Sequence, residues 1–489
     1  MNKRILWVTL PILCWILGLP PAGYGQKTMA AGQFGKIDSG SAVTTDWHAI
    51  SELDLEAAVA IALADNPGLE AAAARLDQAR ARVDQARAGY WPRLDAHASG
   101  ARVDQSDNVI RHNLAALQAL NPATAIENPE DFYRTELSAA WTLFNGFERK
   151  FANASARYGE QSSAAAWADA RRQLVAAVAR SFFSSQLALE NIEIAKADER
   201  FNQRQLIDAE ARQRMGTGPL SDVLNFQVRQ NQAQTVRINQ EYQYAVARYG
   251  LAALLGIPGS WLPAHVELAR LAPETAAELS APPVDELVAA AMDRRPDIQQ
   301  AQWEIKQVDA QIKIVQADYY PSVVLAGSIG AERAGDAGFG RDDFGNRVQV
   351  SLSYNLFAGG LTQARVRENR QRMVELENSL EERALAVTAE VRSSAALVVA
   401  AQTQVVLQRA SVDLVQRTRD LVEKEYQAGQ GSLVRLNEAQ RDLITAQGSL
   451  ALALAGLRQA WVELEARAGL VPIVVDPSDG PDRRELRLR

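Results

Sequence analysis

Cysteine is almost missing from this sequence: Cys14 is the only one in 489 residues, so no internal disulfide can form and a disulfide-stapled module is excluded. Histidine is scarce too. His48, His97, His112 and His265 are scattered without ligand spacing, and no HExxH, GxSxG or Walker pattern occurs, so no catalytic residue, metal or cofactor is expected. Five methionines, Met1 included, are too sparse for a soft-metal relay. Basic charge is short as well, with 52 Lys+Arg against 59 Asp+Glu for a net charge of -7. Lacking a basic stripe to neutralise phosphates, the chain is not expected to bind nucleic acid. Paired carboxylates such as Glu381 and Glu382 lie in a polar helical stretch and are read as solvent-facing.

Long apolar runs are also rare. At the amino terminus Lys3 and Arg4 precede an apolar run over 5–19, and the small residues Ala22, Gly23 and Gly25 follow, which is the pattern of a secretory signal removed near residue 25. No later run reaches the ~20 residues that span a bilayer without meeting a charge. The mature chain is therefore expected to have no transmembrane helix. Cys14 follows Leu13 in mid-segment rather than at a cleavage point, so a lipid anchor is not expected. The remaining balance, 47% apolar and 23% charged, is that of a chain able to bury a sizeable core.

What is present is a repeat. NPGLEAAAARLDQARARVDQARAGYWP over 66–92 returns as RPDIQQAQWEIKQVDAQIKIVQADYYP over 295–321, with Pro67 and Pro296, Tyr90 and Tyr319, and Pro92 and Pro321 each 229 apart. LFNG at 143–146 returns as LFAG at 356–359, now 213 apart, and that spacing holds for Gly216 and Gly429, Gly218 and Gly431, Leu220 and Leu433, and Gln227 and Gln440. A single 16-residue insertion between Pro92 and Phe144 accounts for the change, in a polar connection containing Asn121, Pro122, Asn128 and Pro129. A colinear series with one offset change points to internal duplication.

Each copy reads helix, strand, loop, strand, long helix, tight turn, helix. No proline interrupts 147–215 or 361–428, and at 1.5 Å per residue such stretches make helices of about 100 Å. Leu436, Leu443, Leu450, Leu457 and Leu464 recur every seventh residue, with Ala439, Ala446, Ala453 and Ala460 three positions on, while Val391, Val398, Val405 and Val412 repeat at the same interval. This is a coiled-coil seam with small residues that permit close approach. The helix over 432–468 covers only half of its long neighbour, so the helix over 297–317 is expected to stack end to end with it, and 219–255 with 67–88 likewise.

The segments between have a different period. Val348, Val350, Leu352, Tyr354 and Leu356 alternate with Gln349, Ser351, Ser353 and Asn355, and Tyr133, Thr135, Leu137, Ala139, Trp141 and Leu143 alternate similarly. Leu94, Ala96 and Ala98, and Val323, Leu325, Gly327 and Ile329, mark weaker partners. Each run has roughly the ~10 residues of a tilted membrane strand. Tyr90, Trp91, Trp141, Phe144, Tyr319, Tyr320, Tyr354 and Phe357 gather at the helix-proximal ends, and Phe132, Tyr133, Phe339 and Phe344 near the loop ends. Two aromatic girdles of this kind suit the two interfaces of a bilayer. Four strands cannot close a barrel, and an open edge cannot persist in lipid, so the chain is expected to oligomerise. Two copies would give eight strands with a filled interior, and three would give twelve with an opening; composition does not choose.

The duplicated order, YWPRLD and YYPSVV at the strand starts, LFNG and LFAGG at the strand ends, and the Gly-x-Gly turns together resemble the TolC family of outer-membrane efflux ducts, over about residues 50–472. The resemblance implies a mainly α protein with a membrane β-barrel: a homotrimer whose four strands per protomer close as a 12-stranded barrel above a long coiled-coil helical barrel. It further implies a periplasmic adaptor and an inner-membrane pump docking at the helix tips. Gly216, Gly218 and Leu220, and Gly429, Gly431 and Leu433, are the candidate docking residues, although plain hairpin geometry also explains the glycines. By the same resemblance Asp222 and Tyr426 hold the closed tip, and Glu438 belongs to an acidic constriction from which Arg435 departs. An arginine there weakens any cation preference and could pair with Asp222.

The expected organisation is a signal at 1–25, a mobile segment at 26–45, a first repeat at 46–260 with strands near 93–103 and 132–144 and a hairpin over 147–256, a linker at 261–283, a second repeat at 284–472 with strands near 322–332 and 346–357 and a hairpin over 359–469, and a mobile tail at 473–489. The expected function is a passive exit duct for efflux, with type I protein secretion as its nearest variant. The competing class is a soluble periplasmic coiled-coil structural or adaptor protein.

Overall fold

A computed structural model describes residues 47, 50–118 and 128–470; the expected signal, the segment 26–45 and the tail 473–489 lie outside them. Nine helices occur among the described residues: α1 (Leu55–Asp65), α2 (Pro67–Ala88), α3 (Asp107–Gln118), α4 (Glu148–Arg214), α5 (Leu220–Leu254), α6 (Val284–Arg294), α7 (Pro296–Gln316), α8 (Leu361–Gln427) and α9 (Leu433–Arg467). Six strands accompany them: β1 (Glu52–Leu53), β2 (Arg93–Val103), β3 (Glu130–Asn145), β4 (Glu267–Leu268), β5 (Ser322–Ala334) and β6 (Phe344–Ser353). The 67-residue helices α4 and α8 are about 100 Å long. Each pairs with the 35-residue helix that follows it.

Contacts order the helices into one layer with two storeys. Next to the sheet the neighbours run α2, α4, α7, α8; toward the hairpin turns they run α5, α4, α9, α8. Thus α2 continues the line of α5, and α7 that of α9. The two end-to-end junctions are equivalent by the repeat. Asn66, which caps α2, donates its Nδ2 to the carbonyl of Leu254 at 2.8 Å, while Arg295, before α7, donates Nη1 to the carbonyl of Arg467 at 3.3 Å. Gly256 and Gly469 close α5 and α9 in the left-handed region, at φ 75° and 73°. A Cβ on Gly256 would lie 2.2 Å from the Asp65 carbonyl oxygen, so the junction requires glycine. The second junction holds a buried arginine where the first has Asn66. Arg295 is 4% exposed and pairs with Asp297 and Glu390, each at 2.8 Å.

The coiled-coil seam lies where the heptads place it. Val391, Val398 and Val405 are fully or almost fully buried against Leu450, Ala453, Leu457, Ala460 and Leu464. α8 also carries an 18-residue stretch of mean hydropathy 1.5, only 33% of it buried. By length and composition this helix is long and apolar enough to cross a membrane, although Arg392 and Arg409 bound its uncharged run to residues 393–408. Its apolar side chains serve two faces: the valine seam inside, and Leu407, Leu414 and Leu421, again every seventh residue, exposed outside. The segment 257–283 is stitched across both hairpins by side chains that donate to its carbonyls: Arg248 to Leu262 and Pro263, Gln186 to Ala269, Arg458 to Ala272, and Gln402 and Trp461 to Glu278.

The main sheet has the order β2-β3-β5-β6, antiparallel throughout; β1 and β4 form a separate parallel pair. One outer face carries Leu94, Leu137, Trp141, Leu325, Val350 and Leu352, the other Asp95, Ser138, Ser328 and Arg347. A bulge between Thr142 and Phe144 in β3 shifts the alternation by one residue. Phe144, opposite Val323, therefore takes the apolar face that strict alternation assigns to Leu143. β6 stops at Ser353, so Tyr354, Leu356 and Phe357 lie beyond the strand.

Candidate functional site

Each hairpin turn is made by two glycines with different tasks. Gly216 and Gly429 adopt positive φ, 76° and 74°. Gly218 and Gly431 do not; they allow close approach, since a Cβ would come within 3.0 Å of Arg212 Cβ and 2.9 Å of the Tyr426 nitrogen. Leu220 is exposed, as are Ile207, Met215 and Leu224 on the same hairpin. Its repeat equivalent Leu433 instead packs against a cluster of Phe201, Ala209, Phe226, Val422, Tyr426 and Leu436. The first tip thus exposes three apolar side chains around its turn, whereas the second exposes Val434 beside the polar Gln430, Arg435 and Glu438.

Tyr426 ties the two hairpins together. Its hydroxyl donates to Asp222 Oδ2 at 3.0 Å and accepts from Arg212 Nη2 at 3.2 Å. The Arg212 guanidinium lies 4.7 Å from the ring centroid, within cation–π range, and Phe226 meets the ring edge-on at 6.3 Å. Burial, opposed by the Arg212 charge and reinforced by the bond to Asp222, pushes the Tyr426 phenol up to about 12. Arg212 was not singled out in the sequence, because it lies before the first turn with no motif around it. Arg435 does not pair with Asp222: it pairs with Glu425 on its own hairpin at 3.1 Å, across the same turn.

Further polar bonds cross between the hairpins above the tip. Asn437 donates to Asn225 at 3.1 Å, Gln205 to Glu423 at 3.0 Å and Gln440 to Asp198 at 2.8 Å. Burial raises Asp198 above the ordinary aspartate range, against the lowering effect of Gln440 and Asn202. Among the described residues no group of His, Cys, Asp and Glu is placed to hold a metal ion.

At the sheet, the helix-proximal aromatics form a connected group. Trp141 Nε1 donates to the Tyr90 carbonyl at 3.0 Å, Arg149 lies over the Tyr90 ring, and Phe147 bridges Phe144 and Tyr320. Trp91, Tyr319, Tyr354 and Phe357 are exposed around it. The opposite end of the sheet holds Phe132, Tyr133 and Phe344. Both edge strands, β2 and β6, have one side unpaired. The flanking helices below them are open at the same two sides: α5 exposes Leu224, Val228, Ile238, Tyr242 and Tyr249, and α8 exposes Leu397, Val406, Leu407, Leu414 and Leu421.

Similarity to known proteins falls in one group. The profile of the family described as outer membrane efflux protein matches residues 58–257 and 287–470. The pyoverdine export outer membrane protein OpmQ of Pseudomonas aeruginosa is 25% identical over 96% of this chain and 95% of its own length. The alkaline protease secretion protein AprF of the same organism is 26% identical over 70% of each chain. The crystal structure of the Campylobacter jejuni CmeC outer membrane channel superposes with a TM-score of 0.72 at 15% identity, covering 92% of this chain and 94% of that one.

Proposed function

Because this chain belongs to the outer membrane efflux protein family, we propose that it is a homotrimeric exit duct of the outer membrane, opened at its periplasmic hairpin tips. The observation that carries this reading is the coincidence of open surfaces: the unpaired strands β2 and β6 and the exposed apolar faces of α5 and α8 occur at the same two flanks of the protomer. A copy placed head to tail joins β6 to β2 antiparallel and α8 to α5, and rotation closes the ring. Lipid leaves no alternative to closure for the strands. Three copies provide twelve strands and an aqueous opening, where two would fill their own interior. The polar strand faces then line the lumen, and solute passes without chemistry.

The Asp222–Tyr426–Arg212 contact is the latch of the closed tip in this reading. The Arg435–Glu425 pair and the nearby Glu438 balance charge at the constriction, so strong cation preference is not expected. The apolar first tip, with Met215, Leu220 and Leu224, suits docking of a periplasmic adaptor that couples the duct to an inner-membrane pump. Small-molecule efflux is favoured by the near full-length similarity to a pyoverdine export protein; type I secretion is the second reading, on the similarity to a protease secretion protein. Extraction of outer membranes in detergent should yield a trimer whose migration changes on heating. Release of a monomer by osmotic shock, monodisperse in plain buffer and without affinity for vesicles, would overturn the proposal.

A further inference from the structure

Just under the main sheet the helices carry a charge unlike that of the whole chain, whose net charge is -7. Lys150 and Arg157 lie near the start of α4, Lys306 and Lys313 toward the end of α7, and Arg367 and Arg370 near the start of α8. At 1.5 Å per residue these side chains fall within about 15 Å of the helix ends that meet the strands. Lys313 pairs with Asp309 at 2.6 Å. The others are exposed and have no ion pair among the described residues. Most acids at this level are already held: Asp84 by Arg87, Glu160 by Arg80, Asp318 by Arg365 and Glu148 by Asn145. That leaves Glu368 against the five unpaired cations.

The helix period fixes the side they face. A cavity of about 440 Å³ is lined by Arg82, Ser155, Glu304, Gln311 and Arg372, from α2, α4, α7 and α8. Side chains of the first and last helices of a layer meet only on its concave side, so the cavity lies there. Arg157, Lys306, Lys313 and Arg370 each stand two positions from one of those residues, about 200° round the helix, and therefore point to the opposite side. That is also the side crossed by the segment 257–283. Val178, three heptads on from Arg157, is buried with Val266 and Leu268, and Gln402, five heptads on from Arg367, donates to the Glu278 and Ser280 carbonyls. Lys150 and Lys313 converge on the Phe151 ring, each 5.7 Å from its centroid, so cations of two helices gather at one spot. In a closed ring the concave side is the lumen. The basic side chains then face outward, directly beneath the exposed Trp91, Tyr319 and Phe357.

We propose that this basic belt binds phosphate-bearing anionic lipid headgroups of the leaflet on the helix side. The aromatics mark the interface, and the cations hold the phosphates just below it. Lysine and arginine lay their methylene stems along the helix while the charge reaches the headgroups, and an anionic leaflet attracts such side chains. The inference rests on the reading of the chain as a membrane duct and adds the lipid class that its collar selects.

Lipid retention by the full-length trimer tests it. Detergent-purified protein is given equal amounts of phosphatidylglycerol and phosphatidylcholine, and native mass spectrometry counts the lipids that stay bound. Phosphatidylglycerol should be preferred. Lys150→Gln/Arg157→Gln/Lys306→Gln/Arg370→Gln should reduce that preference by about fivefold for each cation that reaches a headgroup. Arg82→Gln/Arg372→Gln, on the concave side, is the control: its lipid preference should equal wild type, while the reversal potential in a salt gradient shifts toward cations. Equal retention of the two lipids by wild type, a preference that survives the belt variant, or one that falls as far in the control overturns the proposal. So does a reversal potential moved by the belt variant, which would put the belt in the lumen. If a trimer forms and enters bilayers, these failures leave the duct standing; if it does neither, the duct reading has failed and the belt with it.

Discussion

Replacing Tyr426 by Phe tests the latch with little other disturbance. The ring stays against Phe226 and under the Arg212 guanidinium, but the hydroxyl that bonds Asp222 at 3.0 Å and Arg212 at 3.2 Å is gone. Hydrogen bonds to charged partners contribute about 1.5–3 kcal/mol each. Asp222 is only half-buried, so water re-solvates its carboxylate and the lower end applies. The two bonds at about 1.5 kcal/mol each give about 3 kcal/mol per protomer, roughly a hundredfold in the open-to-closed ratio if latches release singly. If three release together, about 9 kcal/mol gives on the order of a millionfold. Open probability of the purified protein in planar bilayers distinguishes these outcomes, with unit conductance as the control that the pore itself is unaltered. An open probability equal to wild type would refute the latch.

Other perturbations address the assembly and the fold. Leu407→Glu/Leu414→Glu places charges on a face already exposed in the protomer, so the chain should fold but fail to form trimers, as read by native mass spectrometry. Arg295→Met strands the Asp297 carboxylate at a buried junction, while Glu390 keeps Arg467 at 2.8 Å, and should cost toward the lower end of about 3–5 kcal/mol, seen as a lower thermal midpoint. Burial alone would raise Asp297 and Glu390, but their bonds to Arg295, joined at Glu390 by Arg467, prevail and hold both below the ordinary carboxylate range. Their contribution is present above the unfolded values and is lost as pH falls through the lowered folded ones, so wild type should lose stability below about pH 4 and the Arg295→Met variant less so. Asp198→Asn keeps an acceptor for Gln440 while removing a buried charge; since the folded carboxyl is raised, the variant should melt higher at neutral pH and the gain should shrink on acidification.

Periodicity made much of the architecture legible. Leu436 to Leu464 and Val391 to Val405 repeat with the period of the helix pair they seal, and a buried stripe needs no other information. The edge strand β6 was readable because Val348, Val350 and Leu352 alternate with Gln349 and Ser351. What escaped depends on geometry that no period records. The bulge at Thr142 inverts the face of Phe144 without altering composition. α3 was read as part of a polar connection because its apolar face is only two turns long. Arg212 reaches Tyr426 across 214 positions, and nothing local marks it. Glu425 intercepts Arg435 because the two flank one turn, whereas sequence distance alone left Asp222 equally available.

The unlike tips limit what can sit on a ring of such subunits. Duplication supplies two hairpins per chain, yet one ends in Met215 and Leu220 and the other in Gln430, Val434 and Arg435, so the rim alternates two unlike bumps, the first greasier than the second. A mating body with identical arms at every bump would find two kinds of footing, and must either engage alternate positions or meet them in two distinct ways.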